Sequence, residues 1–229
     1  MRLTTHRTFF AAAALAAFGT LAFAQGARPT GPPGAPPKLN KIREDLYMIE
    51  NSNANMADLG YWGGNVTIYI TNDGVILADC KFERAHDDVV AKIKSITDKP
   101  IKYIVLTHNH GDHAEGAQKF ESEGAQIIIS NDDRANLLRM PGAKWAPSVT
   151  YMGQSRLYVG GKEVQLRQLR GHTRGDTVVY YPAAKVISLG DLLTTAETIP
   201  NIVNYGDGGN WTDWETSINA ALALDWDTA

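Results

Sequence analysis

The amino-acid sequence predicts an α+β fold in which two β-sheets are covered by helices. Segments rich in β-forming residues alternate with segments of helical periodicity, and a run of strands separated by Gly or Pro turns follows later in the chain. Such a mixture is typical of sheets that bury a face against helices. Of the 229 residues, 44% are hydrophobic and 21% are charged, a size and balance that indicate one globular domain or at most two small ones.

The first 24 residues are predicted to be an export signal that is not part of the fold. Arg2 and Arg7 give a basic start, residues 9–23 form an apolar run, and residues 22–24 (Ala-Phe-Ala) offer the small residues that a signal peptidase reads. The apolar run is 15 residues long, whereas a membrane-spanning helix needs about 20. We therefore expect cleavage after Ala24, a periplasmic or secreted protein, and no stable membrane insertion of the mature chain.

Residues 25–37 contain five prolines and three glycines, a composition typical of an extended tether. One domain is therefore predicted over residues 38–229. Removal of Arg2 and Arg7 with the signal leaves 20 basic residues against 25 acidic ones. The resulting charge of −5, without a basic stripe, argues against a nucleic-acid partner. The one cysteine, Cys80, excludes an internal disulfide.

Composition and turn residues place nine strands in this domain. The segment Thr71-Asn72-Asp73-Gly74 separates two β-rich segments and is typical of a hairpin turn. The predicted strands are residues 45–50, 66–70, 75–78, 101–106, 126–129, 157–159, 164–169, 177–181 and 186–189.

Helical periodicity accounts for four further segments of the domain. They are residues 84–96, 114–120, 132–139 and 212–224. In the last of them, Ile218, Ala221 and Leu222 are predicted to face the core, because residues three or four apart share one face of a helix.

Four potential metal ligands directly follow a predicted buried strand. In extended backbone the side chains of residues i and i+2 share a face, so His108 and His110 can converge on one ion. Gly111 then turns the chain, and Asp112 and His113 can face a second ion beside the first. Imidazole nitrogen and carboxylate oxygen are ligands that zinc binds at about 2.0–2.2 Å. The end of a buried strand is also a common place for a site in α/β folds.

Two further potential ligands follow later predicted strands. His172, in a Gly-His-Thr segment, completes a set of three histidines and leaves the fourth tetrahedral position of a zinc ion open. Asp191 lies in a Gly-Asp-Leu segment after the strand at residues 186–189. Taken alone, His172 is typical of a structural histidine and Asp191 of a turn residue. Both predictions therefore depend on the segment at residues 108–113.

The segment at residues 108–113 resembles the His-x-His-x-Asp-His motif of the metallo-β-lactamase superfamily. The Gly-His-Thr and Gly-Asp segments resemble the next two motifs of that family in order and spacing. The resemblance runs from about residue 38 onward and implies a four-layer αβ/βα sandwich of two mixed β-sheets flanked by helices. It also implies a first zinc ion bound by His108, His110 and His172, a second bound by Asp112 and His113, and Asp191 bridging the two.

One departure from the family pattern concerns the second metal. In the dinuclear hydrolases, a further histidine follows the helix that corresponds here to residues 212–224, but this sequence has no histidine after His172. We therefore expect the second zinc to lack one ligand and the last strand and helix of the fold to be missing, as in a truncated sequence. A catalytically impaired metal-binding remnant is the corresponding alternative.

A second departure concerns the substrate. The β-lactamases of the superfamily use Cys or Ser where this chain has Asp191, which resembles the glyoxalase II, lactonase and related hydrolase branches. The iron-dependent redox branch carries Glu where this chain has His110, so the three imidazoles favour zinc. The sequence thus predicts an exported zinc-dependent hydrolase of a small molecule with an ester, thioester, lactone or lactam carbonyl. A β-lactamase proper is the alternative, and the oligomeric state is left open.

The expected chemistry is attack by a metal-bound hydroxide, because zinc lowers the pKa of bound water from about 15.7 toward 7. Asp112, held ionised by the metals, is predicted to orient the nucleophile and to pass a proton to the leaving group. Tyr61 and Trp62, in the segment at residues 60–64, are predicted to form a lip over the substrate, with ordinary packing as the alternative. Residues 206–211 have the same two interpretations, a loop at the edge of the site or a packing segment.

Overall fold

The described part of the chain forms two β-sheets that pack face to face, with helices outside them. In the computed structural model this part comprises residues 34–53, 55–194 and 200–229. The predicted export signal and residues 25–33 of the predicted tether lie outside it. Within it, none of the helices combines the length and the apolar character that crossing a bilayer requires.

The larger sheet contains seven strands of the described chain, which neighbour one another in chain order. They are β1 (Lys38–Arg43), β2 (Leu46–Glu50), β3 (Val66–Ile70), β4 (Val75–Ala78), β5 (Ile101–Val105), β6 (Gln126–Ser130) and β7 (Val149–Tyr151). The strands from β1 to β4 pair antiparallel, whereas β4 to β7 pair parallel. Because parallel strands end at the same edge of a sheet, the residues that follow β4 and β5 meet there.

Four antiparallel strands of the described chain form the smaller sheet, in the order β11-β10-β9-β8. They are β8 (Gln154–Val159), β9 (Lys162–Gln168), β10 (Thr177–Tyr181) and β11 (Val186–Ser188). The α-helices of the described residues are α1 (Met56–Trp62), α2 (His86–Lys94), α3 (Gly111–Ala114), α4 (Ala117–Ser122), α5 (Asn131–Arg139) and α6 (Trp211–Leu222).

Three apolar cores among the described residues hold four layers together. In β4, Leu77 belongs to the core that contains Val89 of α2, whereas its neighbour Ile76 belongs to the core between the sheets with Val179 of β10. This division arises because successive side chains of a strand point to opposite faces. A third core packs the other face of the smaller sheet against α6, where Ala221 is buried. The layer order helix, sheet, sheet, helix confirms the predicted α+β sandwich.

Most predicted elements are present, several with shifted ends. The strands predicted at residues 66–70, 75–78 and 177–181 have the predicted bounds. The helix predicted at residues 114–120 is divided into α3 and α4. The division occurs near Gly116, where a side chain would lie 3.0 Å from the carbonyl oxygen of Cys80.

The sequence prediction omits β1, β7 and α1. The helix α1 is only seven residues long, and the side chain of Asn55 caps its start by accepting a hydrogen bond from the Asp58 backbone N–H. Tyr61 and Trp62 therefore belong to the last turn of a helix rather than to a loop. The prediction for Leu222 is also wrong: this side chain is 59% exposed, because Ala221, one residue earlier and about 100° around the helix, takes the inner face.

Candidate metal centre

The six predicted ligands lie together at the edge where the two sheets meet. His108 follows β5, His110 precedes α3 in extended backbone, and Asp112 and His113 belong to α3. His172 lies between β9 and β10, and Asp191 lies in a 3-10 turn at Gly190–Leu192 after β11. A backbone hydrogen bond of 2.6 Å from the Thr177 N–H to the Thr107 carbonyl ties the two sheets together beside this cluster.

His108, His110 and His172 form a compact group with Asp191. The ring centres of the three imidazoles are 4.7 to 4.8 Å apart in all three pairs. One ligand atom from each of these four side chains lies within 4.8 Å of the others. The fold therefore brings together His110 and His172, which are distant in sequence, and this group is able to hold a metal ion.

The hydrogen bonds of His108 leave one of its nitrogens free. Thr107 Oγ1 donates its hydrogen to Asp79 Oδ2 at 2.8 Å, so it accepts from His108 Nδ1, which lies 3.1 Å away. The proton of His108 is thereby assigned to Nδ1, and Nε2 keeps its lone pair. This Nε2 atom is buried and has no hydrogen-bond partner among the described residues. A buried lone pair without a donor is what an imidazole metal ligand presents.

His110 and His172 each turn one ring nitrogen toward the other ring. His172 Nδ1 donates to the carbonyl oxygen of Ile202 at 2.6 Å, and His110 Nε2 lies 3.1 Å from Asp207 Oδ2. The carbonyl of Ile202 only accepts, so the proton of neutral His172 is on Nδ1. The side-chain NH₂ of Asn204 lies 2.8 Å from His110 Nε2, which therefore faces both an acceptor and a donor. The remaining nitrogens of the two rings face each other. These two atoms, His110 Nδ1 and His172 Nε2, are 2.9 Å apart. With the His110 proton on Nδ1 they form a hydrogen bond, and with that proton on Nε2 both lone pairs are available to a metal ion.

Asp112, His113 and Asp191 form a second group beside the first. His113 Nδ1 donates to Asp79 Oδ2 at 2.7 Å, so His113 Nε2 faces the site. This Nε2 lies 3.2 Å from Asp191 Oδ1 and 3.5 Å from Asp112 Oδ2. Asp191 Oδ2 lies 3.7 Å from His172 Nε2. Asp191 thus touches both groups, although a bridging role between two metals stays a prediction.

The charges of the site favour a cation. Burial opposes ionisation of Asp112 and Asp191, but the facing imidazole of His113 holds the pKa of both carboxyls below the usual range. Burial likewise opposes a charge on His110, while the carboxylates of Asp207 and Asp112 raise its pKa. For His108, burial and then the neighbouring imidazoles of His113, His110 and His172 lower the pKa, so this ring stays neutral. Burial also opposes a charge on His113, but Asp112, Asp191 and Asp79 raise its pKa well above the usual range. A metal ion would therefore displace protons from His110 and His113 when it binds, because metal ligands must be deprotonated.

The residues that orient the ligands were not predicted from the sequence. Asp79 accepts from the Thr107 N–H at 2.7 Å, from its hydroxyl and from His113 Nδ1, which fixes two ligand-bearing segments at once. The position of Asp79 directly after the buried strand β4 was a detectable signal, because the carboxyl ends of neighbouring parallel strands meet at one edge of a sheet. Asp207 lies within residues 206–211, the segment with two open interpretations, and its contact with His110 places that segment at the edge of the site.

Tyr61 and Trp62 have contacts that are explained by packing. Their rings meet edge to face with centres 5.0 Å apart, and the Arg84 guanidinium lies 5.4 Å from the Tyr61 ring centre. A cavity of about 390 Å³ adjoins His113 and Asp191, and its walls in the described chain do not include either aromatic side chain. Their contact with a substrate stays a prediction.

Two buried carboxyls lie behind His172 and share one hydroxyl donor. Thr173 Oγ1 lies 3.0 Å from Asp133 Oδ2 and 2.5 Å from Asp176 Oδ1. Because a hydroxyl has one hydrogen, one of the two carboxyls must carry its own proton to complete the pair. Burial raises the pKa of Asp133 to about 7 and that of Asp176 to about 8. The segment that carries His172 is therefore anchored by a protonated acid.

We expect Asp133→Asn to change how stability depends on pH. The pKa of Asp133 is raised from an unfolded value of about 3.9, so its stabilising contribution is complete below about pH 4 and is lost as the pH rises to about 7. The new amide mimics the protonated acid: its oxygen can accept from Asn136 Nδ2, and its NH₂ can donate to Thr173 Oγ1. The free energy of unfolding of the variant minus that of the wild type should therefore rise with pH, by at most about 4 kcal/mol.

Urea unfolding of the metal-free proteins at pH 5 and pH 8 measures this difference. Asp132→Asn is the matched control, since Asp132 is the preceding residue on the same helix and is partly exposed. A difference between variant and wild type that is the same at both pH values would contradict the protonated pair.

Comparison with known proteins identifies the family. Residues 59–229 match the sequence pattern of the Metallo-beta-lactamase superfamily, and because the match covers more than half of the chain, the protein belongs to that superfamily. The crystal structure of metallo-beta-lactamase IND-7 is similar in fold, with a TM-score of 0.68 at 20% identity, covering 83% of this chain and 86% of that chain.

Two curated relatives are similar over part of their length. One is the 2,4-dinitroanisole O-demethylase subunit alpha of Nocardioides sp. (strain JS1661), 26% identical over 132 residues, which are 56% of this chain and 39% of that protein. The other is the metallo-beta-lactamase type 2 of Elizabethkingia meningoseptica, 24% identical over 169 residues, 70% of this chain and 64% of that protein. In both cases the chain spans less than two thirds of the relative.

Proposed function

We propose that this protein is an exported, zinc-dependent hydrolase that cleaves an ester, thioester, lactone or lactam bond of a small molecule. The observation that carries the proposal is the convergence of His108, His110, His172 and Asp191, whose ligand atoms lie within 4.8 Å of one another. The buried His108 Nε2 atom, which has no hydrogen-bond partner among the described residues, faces this group. Such a group is suited to a metal cation. Membership of the metallo-β-lactamase superfamily supports zinc as that cation. When bound, zinc lowers the pKa of water from about 15.7 toward 7 and polarises the oxygen of an electrophile.

The two groups of side chains divide the binding of the metals. His108, His110 and His172 would hold the first ion, Asp112 and His113 the second, with Asp191 between them. The three imidazole nitrogens match the ligands that zinc prefers, and they leave the fourth tetrahedral position of the first ion open. Asp79 keeps the proton of His113 on the nitrogen that faces away from the site, and Asp207 and Asn204 contact the corresponding nitrogen of His110.

Asp112 is the residue placed to move a proton. Its carboxyl is held ionised beside His113, and its side chain is 21% exposed at the edge of the site. Asp112 Oδ2 would accept a proton from the attacking water and pass it to the leaving group of the substrate. Because Asp112 belongs to the same short helix as His113, the base and the metal ligand are positioned by one element.

The substrate class is supported by two observations that point to different bonds. Asp191 resembles the hydrolase branches that act on esters, thioesters and lactones, whereas relatives named metallo-beta-lactamase favour a lactam as the second candidate. The cavity beside Asp191 has the size of a small-molecule site. Apolar residues such as Met48 and Leu193 line it together with polar residues such as Asn65 and Thr194, so its walls offer both kinds of contact to a small molecule.

A substrate panel tests the proposed function. The purified protein is loaded with zinc, its zinc content is measured, and hydrolysis of a chromogenic ester, a thioester, a lactone and a chromogenic β-lactam is followed. We expect turnover of at least one substrate that disappears on chelation and returns on addition of zinc. Turnover of the β-lactam alone would favour the second candidate. A protein that holds zinc and turns over none of the four would contradict the proposal.

Export is tested independently of activity. Expression of the full chain in a Gram-negative host should yield periplasmic protein whose mass corresponds to a first residue of Gln25. The reason is that residues 22–24 provide the small side chains that signal peptidase requires. Substitution of Ala22 and Ala24 by bulky residues should retain the precursor in the membrane fraction. A cytoplasmic protein that keeps residues 1–24 would contradict export.

A further inference from the structure

Lys81 is a buried lysine close to the second metal group. It follows β4 two residues after Asp79 and is 0% exposed. Its Nζ donates to the carbonyl oxygens of Gly64 and Gly63 at 2.5 and 3.3 Å and to Asn51 Oδ1 at 3.1 Å. The three donors of an ammonium group thus have three acceptors, which is the condition under which a charged amine can be buried.

Two features of Lys81 cost folding free energy. Its backbone has a φ of 63°, in the left-handed region that residues other than glycine rarely adopt. Burial lowers the pKa of its amine to about 7, while the carboxylates of Asp88, Asp112 and Asp79 oppose that shift. A protein tolerates a strained, buried, ionisable residue where many surrounding contacts enforce its conformation, and such residues concentrate at functional sites.

The glycines that Lys81 binds are pressed against the second metal group. The Gly64 N–H donates to the Asp112 carbonyl at 2.8 Å. A side chain at Gly64 would lie 2.5 Å from Cε1 of the His113 ring, and one at Gly63 would lie 2.5 Å from the Asp112 carbonyl oxygen. The backbone of this glycine pair therefore packs directly against the His113 ring.

We propose that Lys81 is a positioning residue for the second metal: by binding the carbonyls of Gly63 and Gly64, it holds this glycine pair in place and so fixes His113 and Asp112. The inference rests on the proposed function, since it assumes that Asp112 and His113 bind a metal. It predicts an effect confined to the second ion, because the hydrogen bonds of His108 and His172 involve Thr107 and Ile202 instead.

Arg84 offers a matched control, because its side chain binds the same end of helix α1. Its guanidinium donates to the carbonyls of Gly60 and Tyr61 at 2.6 Å each. Both cations thus bind carbonyls in or after the last turn of α1, but Arg84 is exposed and its carbonyls do not contact the metal ligands in the described hydrogen bonds. Loss of either cation removes hydrogen bonds to the end of α1, but only loss of Lys81 removes the hydrogen bonds to Gly63 and Gly64.

Cobalt binding separates the two roles. The metal-free wild type, Lys81→Met and Arg84→Met are titrated with Co²⁺ while the visible spectrum is recorded, and their circular dichroism is compared. We expect two binding events in the wild type. In Lys81→Met the affinity for the second ion should fall by about tenfold or more, the usual cost of losing a residue that supports a metal ligand without binding the metal. The spectrum of the second ion should change, and binding of the first ion should not. Arg84→Met should bind both ions as the wild type does.

Each outcome has one meaning. A wild type with a single binding event would contradict the two-metal part of the proposed function and remove the basis of the inference. The positioning role alone would be overturned if wild type and Lys81→Met bound the second ion with the same affinity. It would also be overturned if Arg84→Met lost as much affinity for that ion as Lys81→Met. If Lys81→Met does not fold, Lys81→Gln takes its place, because its shorter, neutral side chain cannot serve the carbonyls of both Gly63 and Gly64 as the amine does. Selective loss of the second ion in that variant supports the inference, and wild-type binding overturns it.

Discussion

His172→Ala should abolish metal binding at the first group and hydrolysis with it. The variant removes the one imidazole that comes from a distant segment, so His110 Nδ1 loses its facing nitrogen and the ion keeps too few ligands. Loss of a residue that only hydrogen-bonds to a metal ligand costs about 10- to 100-fold in metal affinity. Loss of a ligand itself should therefore lower the affinity by more than about a hundredfold. Turnover should fall by at least about a thousandfold, the order seen when a principal catalytic group is removed.

The fold should survive this substitution. The segment around His172 is held by its backbone, since the Asn204 N–H donates to the His172 carbonyl at 2.8 Å and the Asn210 N–H to the Gly171 carbonyl at 3.0 Å. Metal content after dialysis, circular dichroism and turnover measure the three expectations. Arg174→Ala is the control, because Arg174 is exposed on the same segment. A variant that retains one tightly bound zinc and near-native turnover would remove the basis for the proposed site.

The sequence predicts those parts of the molecule that depend on short-range patterns. The hairpin at residues 71–74 and the buried strands around it follow from turn residues and apolar runs, and the ligands at residues 108–113 are close in sequence. Asp79 was missed because its partners, Thr107 and His113, come within reach only through the parallel pairing of β4 and β5. No pattern along the chain encodes that register.

The helix α1 shows a second limit of the sequence. Its seven residues carry too little periodicity to indicate a helix, and short helices depend on tertiary contacts. Those contacts come from Arg84, which is distant in sequence and donates to the carbonyls of Gly60 and Tyr61. The position of Tyr61 and Trp62 relative to the site therefore follows from packing, which composition alone does not reveal.

Asp79 provides the sharpest test of how the second group is organised. Its carboxylate is 2% exposed and accepts three hydrogen bonds, two from Thr107 and one from His113 Nδ1. Asp79→Ala leaves these buried donors without partners, so we expect a loss of about 3–5 kcal/mol in the free energy of unfolding. The affinity for the second metal should fall by about 10- to 100-fold, because the His113 ring is no longer oriented.

Asp79→Asn should separate stability from metal binding. Its amide keeps one oxygen to accept from Thr107, but its NH₂ group opposite His113 can only donate. His113 must then accept at Nδ1 and carry its proton on Nε2, the atom that faces Asp112 and Asp191. We therefore expect Asp79→Asn to lose less stability than Asp79→Ala in urea unfolding, yet to lose as much affinity for the second ion in a Co²⁺ titration. Binding of both ions by Asp79→Asn at wild-type affinity would show that the proton on His113 Nδ1 does not organise the site.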